Sequence, residues 1–549
     1  MPCRDGVRLA TRVWSPTGEG PWPVLLMRQP YGRAIASTIT YAHPRWYAAH
    51  GFLVAVQDVR GRGGSEGRFS GFRQEASDAA AAVSWCRLLE GSDGRVGTYG
   101  FSYQGLSQLL NAGRENGSAT DGPDPLPDCL APAMCGTDER LHWASEGGAH
   151  WWSLGVGWAL QLAAEGCRRR DDLQGWRRIR DSLVDGAYLE EGVELLAELD
   201  PTGMGLGWLR LDPTDPGDWL VHPLQTDLLR RPLLLIGGWH DPHLRGVLAL
   251  FDRSREAGGR PHLCIGAWTH LDWNGGIDHL QLAFFRRHLH PAGDDASGNQ
   301  RPESGGQSSS LPHDRSDDTL QLQCPRSGRW WSQALDDSQA ARGWELASVG
   351  LAAIRSDEGE LRPIAADGGR QCGSGGLTLV HDPWRPVPSR GGHLGPEPGV
   401  VERGDLDRRA DVACFQCAPL ERSLPLHGRP MLRIRAGADQ PGFDLWATLS
   451  VVQCDGRVLQ LCTGVQRVLG AKALEVQGLE LGLQPLATTL QDGERLRLSL
   501  AAAAWPAIAV NPGDGSVPSG GSGPSHRIIS LDLELEGARL WLNPLIGAN

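Results

Sequence analysis

Residues 94–105 read Gly-Arg-Val-Gly-Thr-Tyr-Gly-Phe-Ser-Tyr-Gln-Gly, and the apolar stretch Leu106 to Leu110 follows. A short strand therefore runs into one serine, Ser102, set between Gly100 and Gly105, and continues into a helix. Glycines on both sides permit a tight strand-to-helix turn that side chains would obstruct, and such a turn holds a serine hydroxyl clear above a sheet. The commonest version of the turn is Gly-x-Ser-x-Gly; here the second glycine comes one residue late. A serine is a poor nucleophile until an imidazole takes its proton and a carboxylate fixes that imidazole's tautomer. Without such partners Ser102 is an ordinary turn residue, so the reading depends on what lies downstream.

Two partners follow in order. The run Pro232 to Gly238 is continuously apolar and ends in Trp239-His240-Asp241. The run His262 to Thr269 has the same form and ends in His270. Unbroken apolar runs of this length fit strands buried on both faces of a parallel sheet. Open α/β sheets keep their sites just beyond the C-terminal ends of such strands, where Asp241 and His270 fall. Serine, aspartate, histidine is the chain order of the α/β-hydrolases. Taken singly, Asp241 reads as a helix cap and His270 as one of 17 histidines. Taken together, the three residues predict a triad.

The same residues carry a family resemblance. Asp5-Gly6-Val7-Arg8-Leu9, Arg28-Gln29-Pro30-Tyr31-Gly32-Arg33 and Gln57-Asp58-Val59-Arg60-Gly61 precede the Gly-x-Ser-Tyr-x-Gly turn, and Gly-Trp-x-Asp and Gly-x-Trp-x-His segments follow it. In this order they resemble the cocaine-esterase-like (CocE/NonD) hydrolases, with their relatives the X-prolyl dipeptidyl-peptidases and α-amino-acid ester hydrolases. The resemblance implies that the Tyr31 hydroxyl is one oxyanion donor and that the late glycine is the family's own variant. The second donor would be the backbone N–H of Tyr103, the residue after the nucleophile. Asp58 and Arg60 are expected to tie down a loop beside the site.

These residues need a scaffold, and the chain supplies one in parts. Residues 1–135 alternate strands and helices, the first part of an α/β-hydrolase core. Residues 136–222 are rich in Trp, Leu, Ala and Glu and predict a helical cap inserted before the Asp241 strand. The core resumes over 223–290, and 291–318 has the Gly/Ser/Asp/Pro composition of a linker or loop. From 319 to 549 short alternating runs separated by Gly/Pro/Asp turns predict an all-β sandwich. It resembles the family's jelly-roll, a galactose-binding-like domain. The expected fold class is α/β: an α/β-hydrolase with a helical cap and a C-terminal jelly-roll. Within the cap, Trp143, Trp151 and Trp152 are candidates for an aromatic substrate pocket. Glu139, Glu146 and Asp138 could greet a substrate amine, though each also reads as a solvated helix charge.

Composition removes other classes. A net charge of −12 argues against nucleic acid or an anionic membrane as partner. No apolar window approaches 18 residues, and the polar start Met1-Pro2-Cys3-Arg4-Asp5 has no signal-peptide core, so a cytoplasmic protein is expected. Lys472 is the sole lysine, which excludes a Walker A loop. The Gly61-x-Gly63 pair meets Glu66 where a dinucleotide site needs its third glycine. Cys414-x-x-Cys417 lacks a second pair at zinc spacing. Neither cofactor nor metal is expected. The reading is a serine hydrolase acting on a small ester, amide or short peptide, with a homodimer possible. An X-Pro dipeptidyl-peptidase and a non-catalytic binding protein that keeps the fold are the alternatives.

Overall fold

A computed structural model describes residues 1–34, 40–113, 123–273, 276–290, 320–333, 342–364 and 375–546. The segment expected to be a linker, 291–318, lies outside the described residues.

Nine strands form the first sheet. They are β1 (Thr11–Trp14), β2 (Trp22–Gln29), β3 (Leu53–Asp58), β4 (Ser92–Phe101), β5 (Cys129–Ala133), β6 (Leu234–His240), β7 (His262–Thr269), β8 (Leu320–Gln323) and β9 (Trp330–Gln333). Their spatial order is β1-β3-β2-β4-β5-β6-β7-β8-β9, and β3 through β8 run parallel. Only the outermost strands, β1 and β9, are antiparallel to their neighbours. The unbroken apolar runs have a plain cause. Leu233, Leu235, Leu263 and Ile265 belong to the core on one face, while Leu234, Ile236 and Cys264 belong to the core on the other. Both faces are covered, so neither can be polar.

One boundary differs from expectation. Residues 320–333 begin the region expected to be the β-sandwich, yet β8 pairs in parallel with β7 and β9 folds back on it. The Gln323 side-chain oxygen accepts from Ala267 N at 2.9 Å, and its carbonyl accepts from Trp239 Nε1 at 2.7 Å. Alternation of Leu and Gln marks a strand with two unlike faces; it carries no information about which sheet the strand joins.

Between β5 and β6 the chain leaves the sheet as four helices, Trp152–Arg169, Leu173–Asp185, Tyr188–Leu199 and Met204–Leu209. Their apolar faces meet in a core of their own around Val156, Leu160, Ile179, Leu196 and Leu206. Apart from a two-stranded ribbon in the cap, Ser145–Glu146 with Ala149–His150, the remaining strands form an 11-stranded all-β domain, with the long strands Leu424–Ala438 and Ile529–Asn543 side by side. Along Ile529–Asn543 burial alternates residue by residue, sending Leu531, Leu533 and Leu535 inward and Asp532, Glu534 and Glu536 outward. This domain touches both other parts: Trp152 N of the cap donates to Ala507 O at 2.8 Å, and Arg245 of the core donates to Gly482 O at 2.9 Å. Among the described residues no helix is long and apolar enough to cross a membrane.

Candidate active site

Strand β4 delivers Ser102 into an abrupt turn, and the helix Tyr103–Leu109 starts immediately after it. Ser102 has φ 58° and ψ −128°, a conformation that side-chain-bearing residues avoid. The surrounding contacts hold it there: Ser102 N donates to Ala133 O at 3.0 Å, and Gly105 N donates to Ser102 O at 2.8 Å. The late glycine has a packing cause. A Cβ at position 105 would lie 2.5 Å from the Ala133 carbonyl oxygen, because the new helix crosses β5 at that point. At position 104 there is room, and Gln104 fills it, its side-chain oxygen 3.4 Å from Phe101 N.

Tyr103 points away from the turn. Its hydroxyl donates to Glu75 Oε1 at 2.9 Å, and Glu75 Oε2 lies 2.7 Å from the Arg28 guanidinium. All three are buried. Burial raises the Glu75 carboxyl above its ordinary value, with Arg28 and the Tyr103 hydroxyl opposing the shift. As the first residue of its helix, Tyr103 has no acceptor within the helix for its backbone N–H.

Asp241 sits just past β6 and is fully buried. One oxygen accepts from His243 N at 2.9 Å; the other is 2.6 Å from His270 Nδ1. His270 keeps 21% of its side chain exposed and packs at a tilt against Phe101, one residue before Ser102, with ring centroids 5.5 Å apart. The Asp241 carbonyl accepts from Gln484 Nε2 of the all-β domain at 2.7 Å.

Tyr31 follows β2, its backbone N–H donating to Gln29 Oε1 at 2.7 Å. Its hydroxyl accepts from Trp158 Nε1 of the cap at 3.1 Å and also meets the Ser102 side chain. Enclosure raises the Tyr31 pKa, while the bonds from Trp158 and Ser102 oppose the rise. The Asp58 carboxylate fastens the loop next to Tyr31, accepting from Gln29 Nε2 at 2.9 Å, Arg33 N at 2.6 Å and Gly64 N at 2.8 Å. Arg60 is drawn the other way, to Asp78 and Asp5, both at 2.7 Å.

The cap tryptophans separate by position. Trp143 and Trp151 pack against His243, with ring centroids 4.5 and 5.7 Å away. Trp152 turns into the cap's own core and donates to Leu189 O at 2.9 Å. Trp158 and His243 were not singled out from sequence, although both stand closer to the reacting groups than Trp152. The acidic residues are engaged and are not solvated helix charges. Glu139 is buried, bonded to Trp208 Nε1 at 2.7 Å and His222 Nε2 at 2.9 Å. Glu146 is buried against His393 at 2.7 Å, and Asp138 accepts from Arg140 N and Leu141 N.

A parallel sheet with a strained serine at one strand end and a paired aspartate and histidine at two others belongs to the serine hydrolases. The X-Pro dipeptidyl-peptidase (S15 family) model matches residues 5–272, and the X-Pro dipeptidyl-peptidase C-terminal non-catalytic domain matches residues 307–532. The chain is a CocE/NonD-like hydrolase related to the X-Pro dipeptidyl-peptidases. It is 27% identical to a cocaine esterase of Rhodococcus sp. (strain MB1 Bresler) over 94% of this chain and 92% of that one. Two solved structures share the fold. An aminopeptidase from a marine sediment Thaumarchaeota archaeon has TM-score 0.69 and 18% identity over 99% of this chain and 95% of that one. A CocE/NonD family hydrolase from Staphylococcus aureus has TM-score 0.66 and 16% identity over 99% and 92%. The chain is thus an enzyme, and the reading as a non-catalytic binding protein gives way.

Proposed function

We propose that this enzyme cleaves small carboxylic esters through an acyl-enzyme on Ser102. The Asp241–His270 contact of 2.6 Å, beside a serine held at φ 58°, carries the reading. Asp241 accepts the Nδ1 proton of His270 and so leaves Nε2 as the basic nitrogen. His270 takes the Ser102 proton as Oγ attacks the substrate carbonyl, then returns that proton to the leaving alkoxide. Water repeats the sequence, attacking the acyl carbon while His270 accepts its proton, and frees the acid. The Tyr31 hydroxyl and the Tyr103 N–H donate to the oxyanion in both steps. Both donors are fixed before substrate arrives, which is where such groups gain their effect.

Esters are favoured over X-Pro dipeptides by the state of the carboxylates. A dipeptidyl-peptidase needs an acidic group for the substrate's free amine. Glu139 and Glu146 are instead committed to His222 and His393 inside the fold.

Labelling with a fluorophosphonate, followed by peptide mass spectrometry, tests the nucleophile. One adduct on Ser102, absent in Ser102→Ala and in His270→Ala, is the expected outcome. An adduct elsewhere, or none on folded protein, would overturn it. Turnover of p-nitrophenyl esters well above that of an X-Pro-p-nitroanilide is expected; the reverse order would move the substrate to the peptidase branch.

A further inference from the structure

A series of contacting side chains runs from Tyr31 to His270. Tyr31 meets Ser102 through its hydroxyl and Trp158 through that tryptophan's N–H. Trp158 packs on Trp143 at 6.3 Å, Trp143 on His243 at 4.5 Å, and His243 on His270 at 4.9 Å. The series therefore joins the proposed oxyanion tyrosine to the proposed base, and an acyl group on Ser102 would stand beside it.

Most polar atoms in this wall are spent. Trp158 donates to Tyr31, and Trp143 Nε1 donates to Gly136 O at 2.7 Å. The His243 ring bonds through Nδ1 to His142 O at 2.6 Å. A carbonyl only accepts, so Nδ1 carries the proton and Nε2 carries the lone pair. Among the described residues Nε2 has no hydrogen-bond partner, and His243 keeps 5% of its surface exposed. Burial pushes the ring down to about 4, so it stays neutral in ordinary buffers. The groups that face it are His142, Trp143, Trp151, Asp241 and His270.

We infer that His243 Nε2 is a specificity-determining acceptor, selecting substrates whose acyl group presents a hydroxyl or N–H donor to it. This rests on the Ser102 acyl-enzyme proposed above. A donor left facing an aromatic wall loses its water without replacement, whereas here it gains an acceptor. The expected preference is that of one net hydrogen bond, roughly tenfold in kcat/KM.

The test compares p-nitrophenyl phenylacetate with its 2-, 3- and 4-hydroxy derivatives, which share a leaving group. The native enzyme should favour at least one hydroxylated ester by about tenfold. His243→Asn keeps a side-chain N–H for His142 O but removes the acceptor, and it should level the series. His243→Gln places an oxygen near the Nε2 position and should restore part of the preference. Equal rates across the series in the native enzyme, or a preference that survives in His243→Asn, would overturn the inference. Fluorophosphonate labelling of Ser102 in each variant reports an intact, folded site. Absence of labelling in the native enzyme would instead mean that the acyl-enzyme proposal has failed.

Discussion

The Tyr31 hydroxyl stands between Trp158 Nε1 and Ser102, with no polar work visible apart from those two contacts. Its proposed role predicts that Tyr31→Phe lowers kcat roughly tenfold to thousandfold while KM moves much less. Steady-state kinetics on p-nitrophenyl acetate measure this, and an unchanged kcat would remove Tyr31 from the oxyanion site. Asp241 and His270 are legible in sequence because each ends an apolar run that fits a buried strand, and Ser102 because glycines flank it on both sides. Trp158 is not legible in the same way. The cap contains seven of the chain's 21 tryptophans, and sequence spacing does not rank them. What distinguishes Trp158 is one N–H bond that spans 127 residues of chain. His243 is hidden for a related reason: two positions after Asp241, it looks like the start of the next helix.

At the level of elements, the elbow works because a helix is pressed onto β5. Gly105→Ala inserts a methyl 2.5 Å from a backbone oxygen that cannot move without disturbing the sheet. The expected result is a loss of about 1–3 kcal/mol in stability, or more, read from chemical denaturation, together with slower Ser102 labelling. A variant with native stability and native labelling would show that the crossing has slack. The sheet order follows from patterns in the chain far better than its edges do. β6 and β7 are uninterrupted apolar runs and could lie nowhere but inside. β8 is four residues of alternating Leu and Gln, equally suited to either sheet, and only its pairing with β7 assigns it. The buried Arg28–Glu75–Tyr103 cluster left no local sign, since its members come from a strand, a helix and the elbow.

On the scale of the whole molecule, the all-β domain reaches the backbone of the proposed triad. Gln484 Nε2 donates to the Asp241 carbonyl, Arg245 donates to Gly482 O at 2.9 Å, and Glu146 of the cap meets His393. Gln484→Leu preserves volume but removes the shorter of the Asp241 carbonyl's two hydrogen bonds, leaving the one from Leu244 N at 3.3 Å, at a cost of about 1 kcal/mol. Stability and the rate of Ser102 labelling should fall together; native values for both would mean the bond carries no strain to the site. Three buried histidines and the half-buried His142 set the acid limit. Burial holds His142, His150, His240 and His243 at about 4, against 6.5 in an open chain. The unfolded chain therefore takes up their protons first. Their contribution is fully present above pH 6.5 and is lost progressively as pH falls toward 4. The urea midpoint should accordingly drop across that window, and a flat profile would contradict the assigned neutrality. One consequence of β8 concerns synthesis on the ribosome. When the first 290 residues have emerged, β7 still shows a bare row of amide and carbonyl groups along the sheet's margin, beside His270. Closure waits for residues 320–333, so the first sheet is completed only after translation has moved past its other strands, and in that interval the open margin is an unpaired edge able to pair with another chain.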